Sequence, residues 1–467
     1  MESRRQSPMS NVTRIAIVSL VATTTFGCGR AAAQTRDATA ASRVVPGVAA
    51  AAAPDSGVIP SAARIVTEAD GNDDEPRDVV VRALPASPRW TRVGVGPRAL
   101  RRICDLTPLG NALYTGHANT PLGSDGATIL RYDPDASPHF RMAFDWNRRG
   151  QPTAGGGAGQ GFLRIRSIGG RLFVPDTDPP HAGFALADGA TEGYVFVSNA
   201  RGEFAPPRGE RFLPPTAPDA SGLAGAAVLP RAYHVLDVIQ FREHLYASTG
   251  SVPPRQRAWF GPSPGALHVA NPRWSRWTYG IDYPFPWANG VWRLTYMVRF
   301  HGRLYAGIQD YDWRDANDYV VFTPDAGRND LERRDVHPTR ATRDGGSQTL
   351  RWYVDGDALY WITWGRDRHV HLRVTRDGDA WTEIALPDDA GAASDIVRFR
   401  GHLLVLTEWG LHEIEPSGAH AIARITAQRS PFVFNDIFCA APLGIFRDTL
   451  YAGGQRDGAL YRLDASP

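Results

Sequence analysis

One short motif recurs along the chain and constrains its fold more than any other feature. A polar turn is followed by Leu-Tyr or a near equivalent. It reads Gly110-Asn111-Ala112-Leu113-Tyr114, Gly170-Arg171-Leu172-Phe173, Glu243-His244-Leu245-Tyr246 and Gly302-Arg303-Leu304-Tyr305. It continues as Asp357-Ala358-Leu359-Tyr360, Gly401-His402-Leu403-Leu404 and Asp448-Thr449-Leu450-Tyr451, which makes seven copies in 467 residues. An apolar, β-rich segment precedes the turn, as in Val235–Phe241, Leu294–Phe300 and Ile396–Phe399. A loop and a further strand-like segment follow it, as in Thr128–Tyr132 and Tyr319–Thr323. Segments bearing tryptophan, Trp274–Trp277 and Trp381–Ile384, close several units. Four strands per unit of roughly 45–70 residues is the pattern of a propeller blade. The repeat therefore predicts an all-β, seven-bladed β-propeller of four-stranded antiparallel blades over residues 87–467.

The two ends of the repeat complement each other. The last unit stops after Arg462-Leu463-Asp464 without a fourth strand, and an orphan segment, Arg89–Val93, precedes the first unit. Pairing the orphan with the last blade would close the ring and leave no exposed edge. The cysteines fit this closure. Cys104 falls on the innermost strand of the first blade and Cys439 on the corresponding stretch of the last. In an oxidising compartment they would form a disulfide; otherwise they pack as small hydrophobes.

The N-terminus reads as an address. Arg4, Arg5 and Arg14 precede an apolar run, Ile15–Phe26. That run is short of the roughly 20 residues a membrane-spanning helix needs and has the shape of a signal peptide. Phe26-Gly27-Cys28 resembles a lipoprotein box, with Thr25 where Leu or Val is usual; Ala31-Ala32-Ala33 offers an ordinary cleavage site instead. Residues 1–28 are expected to be a signal peptide ending in a lipidated Cys28. Residues 29–86, rich in Ala, Pro and Asp, are expected to be a disordered tether. The expected location is outside the inner membrane: an outer-membrane or cell-surface lipoprotein, or a periplasmic protein.

Composition removes some partners. The net charge is +2, and every basic side chain other than histidine is arginine. No global field favours nucleic acid or an anionic membrane. Contact with a membrane is expected only through the lipid, and the chain is expected to be a monomer. Phosphate-loop and zinc-helix motifs are absent from the sequence, and no cofactor is expected.

Several turns resemble the Asp-box (BNR repeat), a hairpin motif of sialidase-like propellers. Thr375-Arg376-Asp377-Gly378-Asp379-Ala380-Trp381 looks like its shortened form, and Thr323-Pro324-Asp325-Ala326-Gly327 matches the first half. Ser198–Gly202 and Val269–Trp274 look like degenerate versions. The resemblance implies a turn in which Asp accepts backbone N–H bonds, Gly takes a positive φ and the aromatic packs between sheets. It does not imply sialidase activity: Phe162-Leu163-Arg164-Ile165-Arg166 lacks the proline of that family's Arg-Ile-Pro.

Ligands of propellers sit on the face formed by the loops between second and third strands and those entering each innermost strand. The loop residues singled out there are His117, Asp176, Asp178, His181, Asp310, Asp312, Trp313, Trp364, Arg366, Glu408 and Trp409, with His234 and Trp292 from the entering loops. Aromatic faces beside carboxylates and arginine suit sugar rings, and equally suit protein-binding hot spots. Asp176-Thr177-Asp178-Pro179-Pro180-His181 and Asp310-x-Asp312 could hold a divalent ion, but Asp and Pro dominate turns anyway, and no metal is assigned. At the heads of the innermost strands stand Asp105, Arg164, Asp237, Tyr296, Arg351 and Asp395. They would either pair across the axis or, if two carboxylates converged, support glycoside hydrolysis. Three functions stay open: a module binding a glycan or protein, a carbohydrate-active hydrolase or lyase, and a scaffold of an envelope complex.

Overall fold

The computed structural model describes residues 81–96, 102–118, 126–145, 161–177, 192–204, 227–230, 232, 234–242, 244–250, 266–270, 277–282, 292–310, 317–324, 331–338, 348–416 and 418–465. All belong to one unit, Arg64–Pro467. Every regular element among them is a β-strand. The expected signal peptide, Cys28 and most of the expected tether lie outside the described residues.

The Leu-Tyr turns are β-hairpins throughout. Strand β1 (Arg89–Gly94) is followed by a first sheet, β2 (Ile103–Leu109), β3 (Ala112–His117), β4 (Thr128–Tyr132) and β5 (Phe140–Asp145). The second holds β6 (Arg166–Ile168), β7 (Arg171–Pro175), β8 (Glu192–Val197) and β9 (Ala227–Pro230). Next come β10 (His234–Phe241), β11 (His244–Gly250), β12 (Ala266–Ala270) and β13 (Trp277–Asp282). They are followed by β14 (Trp292–Phe300), β15 (Arg303–Asp310), β16 (Asn317–Pro324) and β17 (Leu331–Pro338). Two further sheets are β18 (Gln348–Asp355) to β21 (Thr382–Glu383), with β19 (Ala358–Trp364) and β20 (Val370–Thr375), and β22 (Ala393–Phe399) to β25 (Gly418–Arg424), with β23 (His402–Thr407) and β24 (Gly410–Glu415). The last contains β26 (Leu443–Phe446), β27 (Thr449–Gly453) and β28 (Leu460–Asp464).

The hydrogen bonding corrects the expectation of seven separate blades: the strands form six sheets, five of four strands and one of eight. The large sheet arises because β11 pairs with β14 at Gly250 and Arg293. Any Cβ on Gly250 would lie 2.7 Å from Arg293 Cγ, so the missing side chain is what lets the two strands touch.

Innermost strands β2, β6, β10, β14, β18, β22 and β26 pack against one another in that order, and β26 meets β2 again. β1 joins the last sheet by pairing antiparallel with β28, from Arg89 opposite Asp464 to Gly94 opposite Leu460. The core lies between sheets, where the period-2 alternation of each strand buries apolar residues on both faces. One cluster joins Phe162, Leu172, Val174 and Phe196 to Tyr114 and Phe144 of the preceding repeat. Another joins Leu404 and Leu406 to Leu443, Leu450 and Leu463 of the next.

Candidate functional site: the axis and its loop face

Five innermost strands carry a β-bulge near their head, one of them in β14 between Leu294 and Met297. In the other four the register slips between Ile103 and Asp105, Val235 and Asp237, Thr349 and Arg351, and Ala393 and Asp395. A bulge re-aims the side chains beside it. Cys104 and Leu236, the extra residues, join Leu163, Cys439 and Phe438 in an apolar cluster. The aspartates that follow the bulges reach sideways to the next strand. Asp105 Oδ2 accepts the Ile165 N–H (2.7 Å), Asp237 Oδ2 the Met297 N–H (2.8 Å) and Asp395 Oδ2 the Leu443 N–H (2.8 Å).

Arginines fill the spaces between these carboxylates. Arg166 makes a bidentate pair with Asp237 (2.9 and 2.8 Å) and donates to the Met297 carbonyl at 3.0 Å. Arg351 stands between Asp105 (3.6 Å) and Asp395 (3.5 Å) and donates to the Cys104 carbonyl at 2.8 Å. Arg164 lies 3.5 Å from Asp105 and 5.2 Å from the centre of the Tyr296 ring. All six residues expected at the strand heads therefore meet around the axis. Arg166, which was not singled out from the sequence, is the partner of Asp237; its place at the start of β6, two residues after Arg164, is the signal that could have found it. Burial pushes the Asp105 and Asp395 carboxyls up, with Arg351 opposing it in both. The Tyr296 hydroxyl, also raised by burial, donates to the Phe438 carbonyl at 2.5 Å.

The segment between β25 and β26, residues 425–442, lies over this layer. Asp436 pairs with Arg102 (3.4 Å), and the Phe438 ring sits 5.2 Å from the Arg293 guanidinium. Cys439 is joined to Cys104 by a disulfide that spans 335 residues of sequence. Gln455 donates to the Ile103 carbonyl at 2.7 Å beside it.

Several loop residues singled out from sequence are occupied in building this cap. Glu408 accepts the Phe434 N–H (2.8 Å) and the Ala392 N–H (3.2 Å). Trp364 packs on Phe434, ring centres 5.3 Å apart. His234 Nε2 accepts from Arg293, 2.7 Å away, and both are buried. His117 is buried with Nε2 2.7 Å from the Thr115 hydroxyl, and burial lowers its pKa to about 3. Asp176 is buried; its backbone bonds Tyr194 and Val235. Arg366 and Trp409 face solvent. Trp292 and Asp310 are paired in register at the ends of β14 and β15. Asp178, His181, Asp312 and Trp313 lie outside the described residues, as do the side chains of Trp292 and Asp310.

No family model matches the chain, and no curated protein matches it. Among solved structures, it is similar to the extracellular domain of BT4673 from B. thetaiotaomicron, with 11% identity and a TM-score of 0.47 over 80% of this chain and 40% of that one. It is also similar to virginiamycin B lyase from Staphylococcus aureus, with 8% identity and a TM-score of 0.47 over 81% of this chain and 100% of that one. The WD40 β-propeller domain of Doa1 matches at 8% identity and a TM-score of 0.42, over 80% of this chain and 98% of that one. The chain spans less than half the length of the BT4673 chain, and nothing about activity follows from any of these likenesses. Membership of the Asp-box superfamily is supported by no family match, although one hairpin, Thr375–Trp381, has the geometry that the resemblance implied.

Proposed function

We propose that this chain is an exported β-propeller that binds a ligand, a glycan or an envelope protein, through its loop face at Arg366 and Trp409. One observation carries the reading. Trp409 is the only large aromatic side chain that is exposed among the described residues, at 38%. Its backbone is fixed on both sides: its N–H donates to Ala390 (3.0 Å) and its carbonyl accepts from Ile425 (2.9 Å). A rigidly presented indole loses little entropy on stacking against a sugar or a partner's apolar group. The buried disulfide supports export, since such bonds persist in oxidising compartments. A lipid anchor at Cys28 would hold the propeller at the membrane surface.

The enzymatic alternative is weaker on this geometry. Each axial aspartate is committed to a backbone N–H of the neighbouring strand. A carboxylate held that way is a structural tie rather than a free acid or base. The test is a glycan array, paired with pull-down from envelope extract, using wild type and Trp409→Ala. Binding that weakens at least tenfold in the variant, with an unchanged melting temperature, supports the proposal. Equal binding by both proteins, or none by wild type in either assay, overturns it.

A further inference from the structure

Residues 384–392, which join β21 to β22, form the mount of Trp409. The Trp409 N–H donates to the Ala390 carbonyl and the Glu408 N–H to the Ala392 carbonyl, each at 3.0 Å. The Glu408 carboxylate accepts the Ala392 N–H in return, at 3.2 Å. Gly391 lies between these bonds with φ +72°, and a Cβ there would stand 2.7 Å from Glu408 Oε2 and 3.0 Å from Trp409 Cδ1. An ion pair between Asp389 and Arg424 latches the segment to β25. Its apolar start, Ile384 and Leu386, packs into the gap between sheet β18–β21 and sheet β22–β25.

One side chain in that gap is ill matched to it. His412 on β24 is paired in register with Val405 and lies two residues before Ile414, so it shares their face toward the gap. It is 2% exposed, and neither ring nitrogen has a hydrogen-bond partner among the described residues. A neutral imidazole buried in this way forfeits its bonds to water, and an imidazolium would forfeit far more. The charged groups that act on it are the Arg424 guanidinium and His420 from β25 and the Asp389 carboxylate from the segment itself. From the facing sheet come Tyr353 and Tyr360, both neutral in acid. Arg398 and Asp355, also in this gap, are paired with each other.

We propose that residues 384–392 are an acid-released strap beneath Trp409, with the His412 imidazole as its trigger. Protonation sets a second cation beside Arg424 and offers Asp389 another partner, so the latch and the apolar packing weaken together. Burial, and after it the Arg424 charge, holds the folded pKa of His412 below its ordinary value of about 6.5. The opened gap therefore binds the proton more tightly than the closed one. From about pH 6.5 down to the folded pKa, the opening constant rises by up to about tenfold per pH unit. Opening removes the bonds of Ala390 and Ala392 to Trp409 and Glu408. Release of a bound ligand in acid follows, a consequence that rests on the loop-face reading above.

The test is hydrogen exchange by mass spectrometry on the full chain between about pH 7.5 and about pH 4.5, expressed as protection factors. It needs no ligand, so the strap and the loop-face reading can fail separately. Protection of residues 384–392 and 408–410 should fall by up to about tenfold per pH unit below about 6.5, while β19 and β27 keep theirs. His412→Gln should remove that slope, and His412→Leu replaces it if circular dichroism shows that the first variant does not fold. His117→Gln should keep the local slope. Arg424→Gln, which breaks the latch, should speed exchange of residues 384–392 already at neutral pH. The proposal is overturned if protection of residues 384–392 is constant with pH, if it falls only in step with β19 and β27, or if the folded His412 variant keeps the wild-type slope.

Discussion

At the scale of the residue, the Asp-box-like turn shows how a local signature and a distant partner combine. Asp377 Oδ1 accepts the N–H groups of Asp379 and Ala380, each at 2.8 Å, and the Thr375 hydroxyl at 2.8 Å. These bonds hold its carboxyl low, at about 2. Gly378 has φ +80°, and a Cβ there would lie 2.1 Å from the Tyr305 hydroxyl. The turn at Gly202 repeats this, with φ +74° and the Tyr114 hydroxyl 2.0 Å from a Cβ position. The tyrosine of the Leu-Tyr motif thus packs onto the turn glycine of the following sheet. Gly378→Ala combines backbone strain with this clash and should destabilise the fold by roughly 1–3 kcal/mol in urea melts. His117 gives a pH signature. Its folded pKa of about 3 lies below the ordinary value of about 6.5, so the unfolded chain binds more protons between them. Stability should therefore fall as pH drops from about 6.5 toward about 3, and His117→Gln should flatten that slope in parallel melts. The aspartate, glycine and tryptophan of the turn could be read from sequence because they act within a few residues. Tyr305 could not, since its role depends on which sheet comes next.

At the scale of the element, β1 is the informative strand. It completes the last sheet through its pairing with β28, and the Trp90 ring packs edge-on to Phe432 at 5.3 Å. Trp90→Ala should cost about 2–4 kcal/mol in chemical denaturation, near the low end for a large aromatic because the ring is only partly buried. The wider deletion of residues 81–94 would leave β28 as an open edge, and size-exclusion chromatography should then show self-association. The repeat made this strand legible, because one unit lacked a strand and one strand lacked a unit. The merging of two repeats into an eight-stranded sheet was not legible. It rests on how near Gly250 comes to Arg293, and a lone glycine in sequence does not report what approaches it.

At the scale of the whole molecule, the ends of the fold are tied twice, by β1 on β28 and by the Cys104–Cys439 disulfide. The covalent tie closes a very long loop, so replacing both cysteines with alanine should lower stability by about 2–5 kcal/mol. Unfolding of wild type and the double variant, followed by tryptophan fluorescence, measures that difference; no change would mean that β1 alone suffices. The sequence by itself determined the hairpin unit and the closing strand, because repetition and chain order are local and countable; it left the two cysteines open between a disulfide and two buried thiols. The tertiary structure alone decided that the axial aspartates and arginines neutralise one another, that residues 425–442 cap them, and that Trp409 stays exposed. Those outcomes depend on distances between side chains far apart in the chain, which neither repetition nor spacing encodes.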